Sequence, residues 1–246
     1  MRGPSSKHYL KMKWDYPVYA PEVDQGANGT VSRPKRKALS REEAIKYIAG
    51  DDPRPLLVLR ECKVCNGTDE ALLKGGSDNE KTYLLSAFFH CVKLPVDVME
   101  EDHPFHALFT QKQPEHLFVC SVDGNNHDPL ESQTSRTELW KSMQALLAKE
   151  YKKKPQAAIK KVQALLDKFD AQDARVHELV ARRDEILEEE GPKSKKLPKL
   201  AKKIAKEKLA LDKLHAEVDK AYRNELKRQK TAATTKEKKE GATAGV

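Results

Sequence analysis

Cys62-Lys63-Val64-Cys65 sets two thiols three residues apart, between the apolar run Leu56 to Leu59 and the helical-looking stretch "CNGTDEALL". That spacing admits three chemistries: a working dithiol, half of a tetrahedral zinc site, or two thiols that merely neighbour each other. A zinc site needs further ligands. Cys91 and Cys120 each stand alone in segments that read as strands, with no second CxxC, and fit small buried apolar residues better. His90, His103, His106, His116 and His127 cluster loosely. His103-Pro-Phe-His106 has a metal-compatible spacing, yet no carboxylate or cysteine partner accompanies it, so surface or capping roles are expected and no metal is assigned. "DGNNHD" at 123–128 lacks the calcium-loop spacing and its terminal Glu, and reads as a turn. No Gly-rich phosphate loop or nucleophile elbow occurs, and no cofactor is expected.

The elements that must position the cysteines follow from local pattern. In "SREEAIKYIAG", Ser40 and Glu43 form a capping box, Ile45 and Ile48 share a helical face, and Gly50 ends the helix. "RPLLVLREC" is a continuous apolar run after a turn signal, the pattern of a strand buried on both faces. "NEKTYLLSAF" predicts a helix, "FFHCVKLPVDV" a second buried strand, and "HPFHALF" a short helix. "PEHLFVCSVDGNN" predicts a strand ending at the Asp123-Gly124 turn. "SRTELWKSMQALLAKEY" is an amphipathic helix with Leu139, Met143, Leu146 and Leu147 on one stripe. Such alternation of helices and strands argues for an α/β domain with a parallel element in its sheet.

Charge divides the 246 residues near position 151. Residues 1–150 carry 20 Lys+Arg against 22 Asp+Glu, and residues 151–246 carry 26 against 16. The first 38 residues read as an extended arm with Tyr9, Trp14, Tyr16 and Tyr19 as docking side chains, and "RPKRK" at 33–37 reads as a basic linker. No window has the apolar length of a membrane span, and the opening residues have no signal-peptide core. A soluble, cytoplasmic protein whose cysteines rest as thiols is the expectation.

Beyond Gln156 the pattern becomes a heptad seam: Ile159, Val162, Leu166, Phe169, Val176, Val180 and Leu187, interrupted by Asp173 and Arg183. Gly191, Pro192 and Pro198 break it. A second seam runs through Leu197, Leu200, Ile204, Leu211, Leu214 and Val218. Two helices of this kind fold back as an antiparallel hairpin. Residues 156–190 carry 6 basic and 9 acidic groups, and residues 192–230 carry 14 and 5. Attraction between the arms is therefore expected, with positive charge left over on the second. The end, "TAATTKEKKEGATAGV", is disordered by composition.

The stretch "REEAIKYIAGDDPRPLLVLRECKVC" resembles the opening of a thioredoxin-like domain: helix, buried strand, then CxxC at the start of the next helix. "QKQPEHLFVCSVDGN" is similar to the thioredoxin-like segment in which a cis-proline precedes a strand ending in an Asp-Gly turn. The resemblance covers residues 39–151 and implies a three-layer α/β fold. It implies Cys62 as the exposed nucleophile and Cys65 as the resolving thiol, with Pro114 and the preceding Gln113 facing them as client-binding positions. A cysteine at a helix N-terminus gains thiolate stabilisation from free N–H groups and the helix dipole, and Lys63 adds to it. The chain departs from the family at Glu61 before the first cysteine, at Lys63-Val64 between the two, at Gln113, and in the strand "LLVL", which carries no buried acid.

The expected organisation is thus an extended arm at 1–38, a thioredoxin-like domain at 39–151, a coiled-coil hairpin at 156–229 and a disordered tail at 230–246. Two functions of different class follow. One is a cytoplasmic thiol-disulfide oxidoreductase with the hairpin as its protein-binding arm. The other is a redox-inert scaffold whose basic hairpin binds protein or nucleic acid. For nucleic acid the candidate surface is Lys193 to Lys208 near the hairpin tip, although interleaved aromatics and forked arginines are missing there.

Overall fold

The computed structural model describes residues 2–19, 36–62, 72–111, 114–131 and 134–227. The chain forms two compact units, one of Met12–Lys153 with Glu225–Val246 and the other of Met1–Lys11 with Lys154–Asn224. Among the described residues no helix is long and apolar enough to cross a membrane.

The first unit is α/β. Its five strands are β1 (Trp14–Asp15), β2 (Leu56–Arg60), β3 (His90–Leu94), β4 (Leu117–Cys120) and β5 (Asp128–Leu130), in the sheet order β1-β3-β2-β4-β5. β1, β3 and β2 run parallel, with Leu57 opposite Cys91 and Arg60 opposite Leu94. β4 and β5 are antiparallel additions, with Leu59 opposite Leu117 and Leu117 opposite Leu130. All five residues of β2 are buried, as expected of a central strand covered on both faces. Leu56, Val58, Val92, Leu94, Phe118 and Cys120 pack with Ala44, Ile45 and Ile48 of the helix α2 (Arg41–Ala49). The intervening Leu57, Leu59, Cys91, Leu117 and Val119 are equally buried and point to the other face, because strand side chains alternate. The helices α3 (Glu80–Ser86) and α4 (Arg136–Glu150) pack together, and α4 packs on β4. Helix, sheet and helix therefore make three layers.

Capping chemistry sets where these helices start. Ser40 accepts from the Glu43 N–H while the Glu43 carboxylate accepts from the Ser40 N–H, and Ser135 with Glu138 repeats the arrangement at α4. Gly50 (φ 54°) ends α2. Gly124 turns the chain after β4 at φ 79°, where a Cβ would meet Ile45 Cγ1 at 3.2 Å. The stretch read as a short helix at "HPFHALF" is a 3-10 turn over His106–Leu108, with another at Val96–Met99. After the hairpin the chain returns to pair with this unit: Lys152 N–H donates to Glu225 O at 2.9 Å and Lys227 N–H to Glu150 O at 2.8 Å. Residues 225–227 thus belong with the α/β unit rather than with the coiled coil. The tail expected at 230–246 lies outside the described residues.

The second unit is a helical hairpin, α5 (Gln156–Glu190) and α6 (Leu197–Tyr222). At 1.5 Å per residue these helices are about 52 and 39 Å long. Ile159, Val162, Leu166 and Phe169 of α5 and Leu200, Ile204 and Val218 of α6 are buried along the seam. Near the loop the expected Leu187 is 43% exposed and Ile186 takes its place, packed with Leu200 and Ile204. An α-helix drifts by about 20° per heptad against a strict 3.5-residue repeat, which displaces the seam by one position toward the end of a long helix.

The N-terminal segment is not a free extended arm. Residues Pro4–Lys7 form a short helix, α1, on the hairpin. Gly3 N–H donates to Asp170 Oδ1 at 2.8 Å, and Ser5 donates to Asp173 from both its N–H and its hydroxyl. Arg2 pairs with Asp167 at 2.6 Å and Asp170 at 2.7 Å. Asp173, a polar interruption of the seam by sequence, is therefore a docking group. Tyr9 packs against both Phe169 and His215, with centroids 5.6 Å from each, and its hydroxyl meets His215 Nδ1 at 2.5 Å. Burial and the nearby Asp219 push the Tyr9 phenol up to about 12. Trp14 and Asp15, further along, form the edge strand β1 of the other unit.

Candidate functional site

Cys62 lies two residues past the end of β2, partly exposed, and is disulfide-bonded. Its bonding partner lies outside the described residues, as do Lys63, Cys65 and Gln113. Cys91 and Cys120 are free, buried thiols in β3 and β4. Burial pushes both up to about 12, so they stay protonated and unreactive at ordinary pH.

β2 and β4 are antiparallel, so the C-terminal end of β2 and the N-terminal end of β4 share one edge of the sheet. This brings Pro114 to the edge from which Cys62 emerges. Arg60 ties the two ends together. Its N–H donates to His116 O at 2.7 Å, and its guanidinium reaches Pro114 O and Glu115 O, each at 3.4 Å, and His116 Nε2 at 3.1 Å. The guanidinium also sits 5.6 Å from the Phe109 ring centroid. Next to Cys62, the Glu61 carboxylate pairs with Lys93 Nζ at 2.8 Å, which offsets its negative charge beside the thiol.

One buried polar pair at this edge has no counterpart in the sequence reading. Glu115 is 7% exposed, and its carboxylate lies 2.9 Å from His127 Nε2, whose ring packs tilted against that of Phe118 with centroids 4.7 Å apart. Burial acts to raise the Glu115 pKa, but the adjacent His127 imidazole, with the charge of Arg41, holds the carboxyl below its usual range. The signal available in sequence was a charged residue two positions before an all-apolar strand and a histidine just past the following turn. The other histidines do not converge. His90 faces Asp15 at 3.2 Å, and His103 accepts from the Phe105 N–H at 3.1 Å. Among the described residues no group of three or more His, Cys, Asp or Glu is placed to hold a metal ion.

On the hairpin, Lys193, Lys195, Lys196, Lys199, Lys202, Lys203, Lys206 and Lys208 are all exposed. Lys196 pairs with Glu190. The expected attraction between the arms takes a different form: among the described residues no ion pair within 4.0 Å joins α5 to α6. The polar link across the seam is Gln172, whose amide donates to Glu207 O at 3.0 Å and to the Glu207 carboxylate at 2.5 Å.

No family model, curated protein or solved structure matches the chain.

Proposed function

We propose that the α/β unit is a thioredoxin-like thiol-disulfide oxidoreductase that works through Cys62 and Cys65, with the hairpin as its partner-binding arm. The observation that carries this reading is the disulfide at Cys62, formed where the central strand ends, while Cys91 and Cys120 stay buried as free thiols. The order of elements supports it: a capped helix, a buried strand ending two residues before the first cysteine, a parallel strand, then a proline preceding an antiparallel strand and an Asp-Gly turn. The mixed sheet puts Pro114 at the same edge as Cys62, where an extended client segment would lie against Gln113 and Pro114.

In the reaction, the Cys62 thiolate attacks one sulfur of a client disulfide. The client's other sulfur leaves as a thiolate and a mixed disulfide forms. The Cys65 thiolate then attacks Cys62 Sγ, releases the second client sulfur and closes the Cys62–Cys65 disulfide. Two electrons pass from protein to client, and an external dithiol reductant restores the pair. Lys93, paired to Glu61, limits the penalty that Glu61 places on the Cys62 thiolate. Cys65→Ser tests the scheme: incubated with a disulfide-containing client such as insulin, it should accumulate a mixed disulfide at Cys62, visible by mass and reversed by dithiothreitol. Absence of that adduct, under conditions where Cys62 alkylates freely, contradicts it.

A further inference from the structure

Both helices of the hairpin carry cations at strict seven-residue intervals. On α5 they are Lys161, Lys168, Arg175 and Arg182, and on α6 they are Lys199, Lys206, Lys213 and Lys220. All eight are exposed, and among the described residues none lies within 4.0 Å of a carboxylate. The Gln172–Glu207 bond fixes the antiparallel register. Counting outward from it, Lys161 falls level with Lys220, Lys168 with Lys213, Arg175 with Lys206 and Arg182 with Lys199, each to within about a turn. A groove of about 300 Å³ puts three of the eight on one side of the hairpin: Lys168 and Arg175 border it from one helix and Lys213 from the other, over Ala171, Ala210 and Leu214; the seven-residue spacing carries each row on along that side. The N-terminal helix occupies the other side, on Leu166, Asp170 and Asp173.

Like charges facing each other across a helix pair weaken it, and a hairpin built only for its own stability would alternate their signs. We propose that this face is the docking site for an acidic amphipathic helix of a partner protein, seated in the groove so that α5, α6 and the partner form a three-helix bundle. The repeat decides between partners. Seven residues span about 10.5 Å, and a helix with acids at heptad positions presents charge at that same interval on both flanks of an apolar stripe. Nucleic acid advances about 3.4 Å per phosphate on each strand and offers nothing apolar to cover Ala171, Ala210 and Leu214. A second copy of the chain does not supply the complement either, because no heptad row of α5 or α6 holds more than two acids. The mode is helix-in-groove recognition, with charge setting orientation. It does not depend on the thiol chemistry.

The test uses the full chain and a labelled synthetic peptide of about four heptads, with apolar residues at a and d and glutamates at e and g. Anisotropy should report saturable binding that weakens as salt is raised. Lys168→Glu with Lys213→Glu should reduce affinity at least about tenfold, as should scrambling the peptide at constant composition. Lys208→Glu, on the side of the N-terminal helix, should leave affinity unchanged, and circular dichroism checks that each variant keeps its helix content. Absence of binding, equal affinity for the scrambled peptide, or tighter binding to a DNA duplex of about 20 base pairs would overturn the proposal.

Discussion

Replacing Tyr9 tests how the N-terminal segment is held on the hairpin. Tyr9→Phe removes the hydroxyl contact to His215 Nδ1 while keeping the ring against Phe169 and His215. A single hydrogen bond of this kind is worth about 1 kcal/mol net. Tyr9→Ala removes the two ring contacts as well, each worth about 0.5–1.5 kcal/mol beyond area, for a total of about 3 kcal/mol. The Asp167, Asp170 and Asp173 contacts remain in both variants, so the loss should be local. Hydrogen exchange read by mass over residues 2–10 is the direct assay: about 3 kcal/mol corresponds to roughly 100-fold faster exchange, and about 1 kcal/mol to roughly fivefold. The phenol supplies a second readout. Its pKa is raised on folding, so the contribution to docking is fully present below the unfolded value of 10.0 and is lost as pH rises toward about 12. Spectrophotometric titration of the wild type should show a late-ionising tyrosine that Tyr9→Phe removes. Unchanged exchange over residues 2–10 in Tyr9→Ala would refute the docking argument.

Three further outcomes follow from the α/β unit. Under native conditions a thiol reagent should leave Cys91 and Cys120 unmodified, and both should label once denaturant is added; mass mapping of native labelling at either position would contradict their burial. Glu115→Gln should lower stability at neutral pH by about 1–3 kcal/mol in urea unfolding, because the partner of His127 is weakened in a buried site. Since the folded-state pKa of Glu115 is depressed, its contribution is present above the usual carboxylate pKa and fades as pH falls through the folded value; the gap between variant and wild type should therefore close in acid. Gly124→Ala should lower the stability measured by urea unfolding by about 1–2 kcal/mol, from a side chain forced to positive φ against Ile45.

What could be read from sequence were the features written in local pattern. The Ser40–Glu43 capping box, the all-apolar Leu56–Leu59 strand and the stripe of Leu139, Met143, Leu146 and Leu147 each encode their structure within a few residues. β1 and β5 were not legible, because two- and three-residue strands such as Trp14–Asp15 and Asp128–Leu130 exist through pairing with a neighbour and not through periodicity. Asp173 read as a polar interruption of the seam because its partner, Ser5, lies 168 positions away. The same holds for Glu115 and His127, joined by the β4–β5 turn. The shift from Leu187 to Ile186 reflects accumulated drift along a long helix, which a strict heptad count does not follow.

The most direct measurement of the central claim is the pH dependence of alkylation at Cys62 in the reduced protein, followed by mass, with Cys62→Ser marking which signal belongs to it. A working dithiol requires a thiolate that forms well below the unperturbed value of about 8.5, together with reversible closure onto Cys65 when glutathione disulfide is added. Ordinary reactivity at Cys62 with no closure would contradict it and would leave the hairpin as the functional part of the molecule.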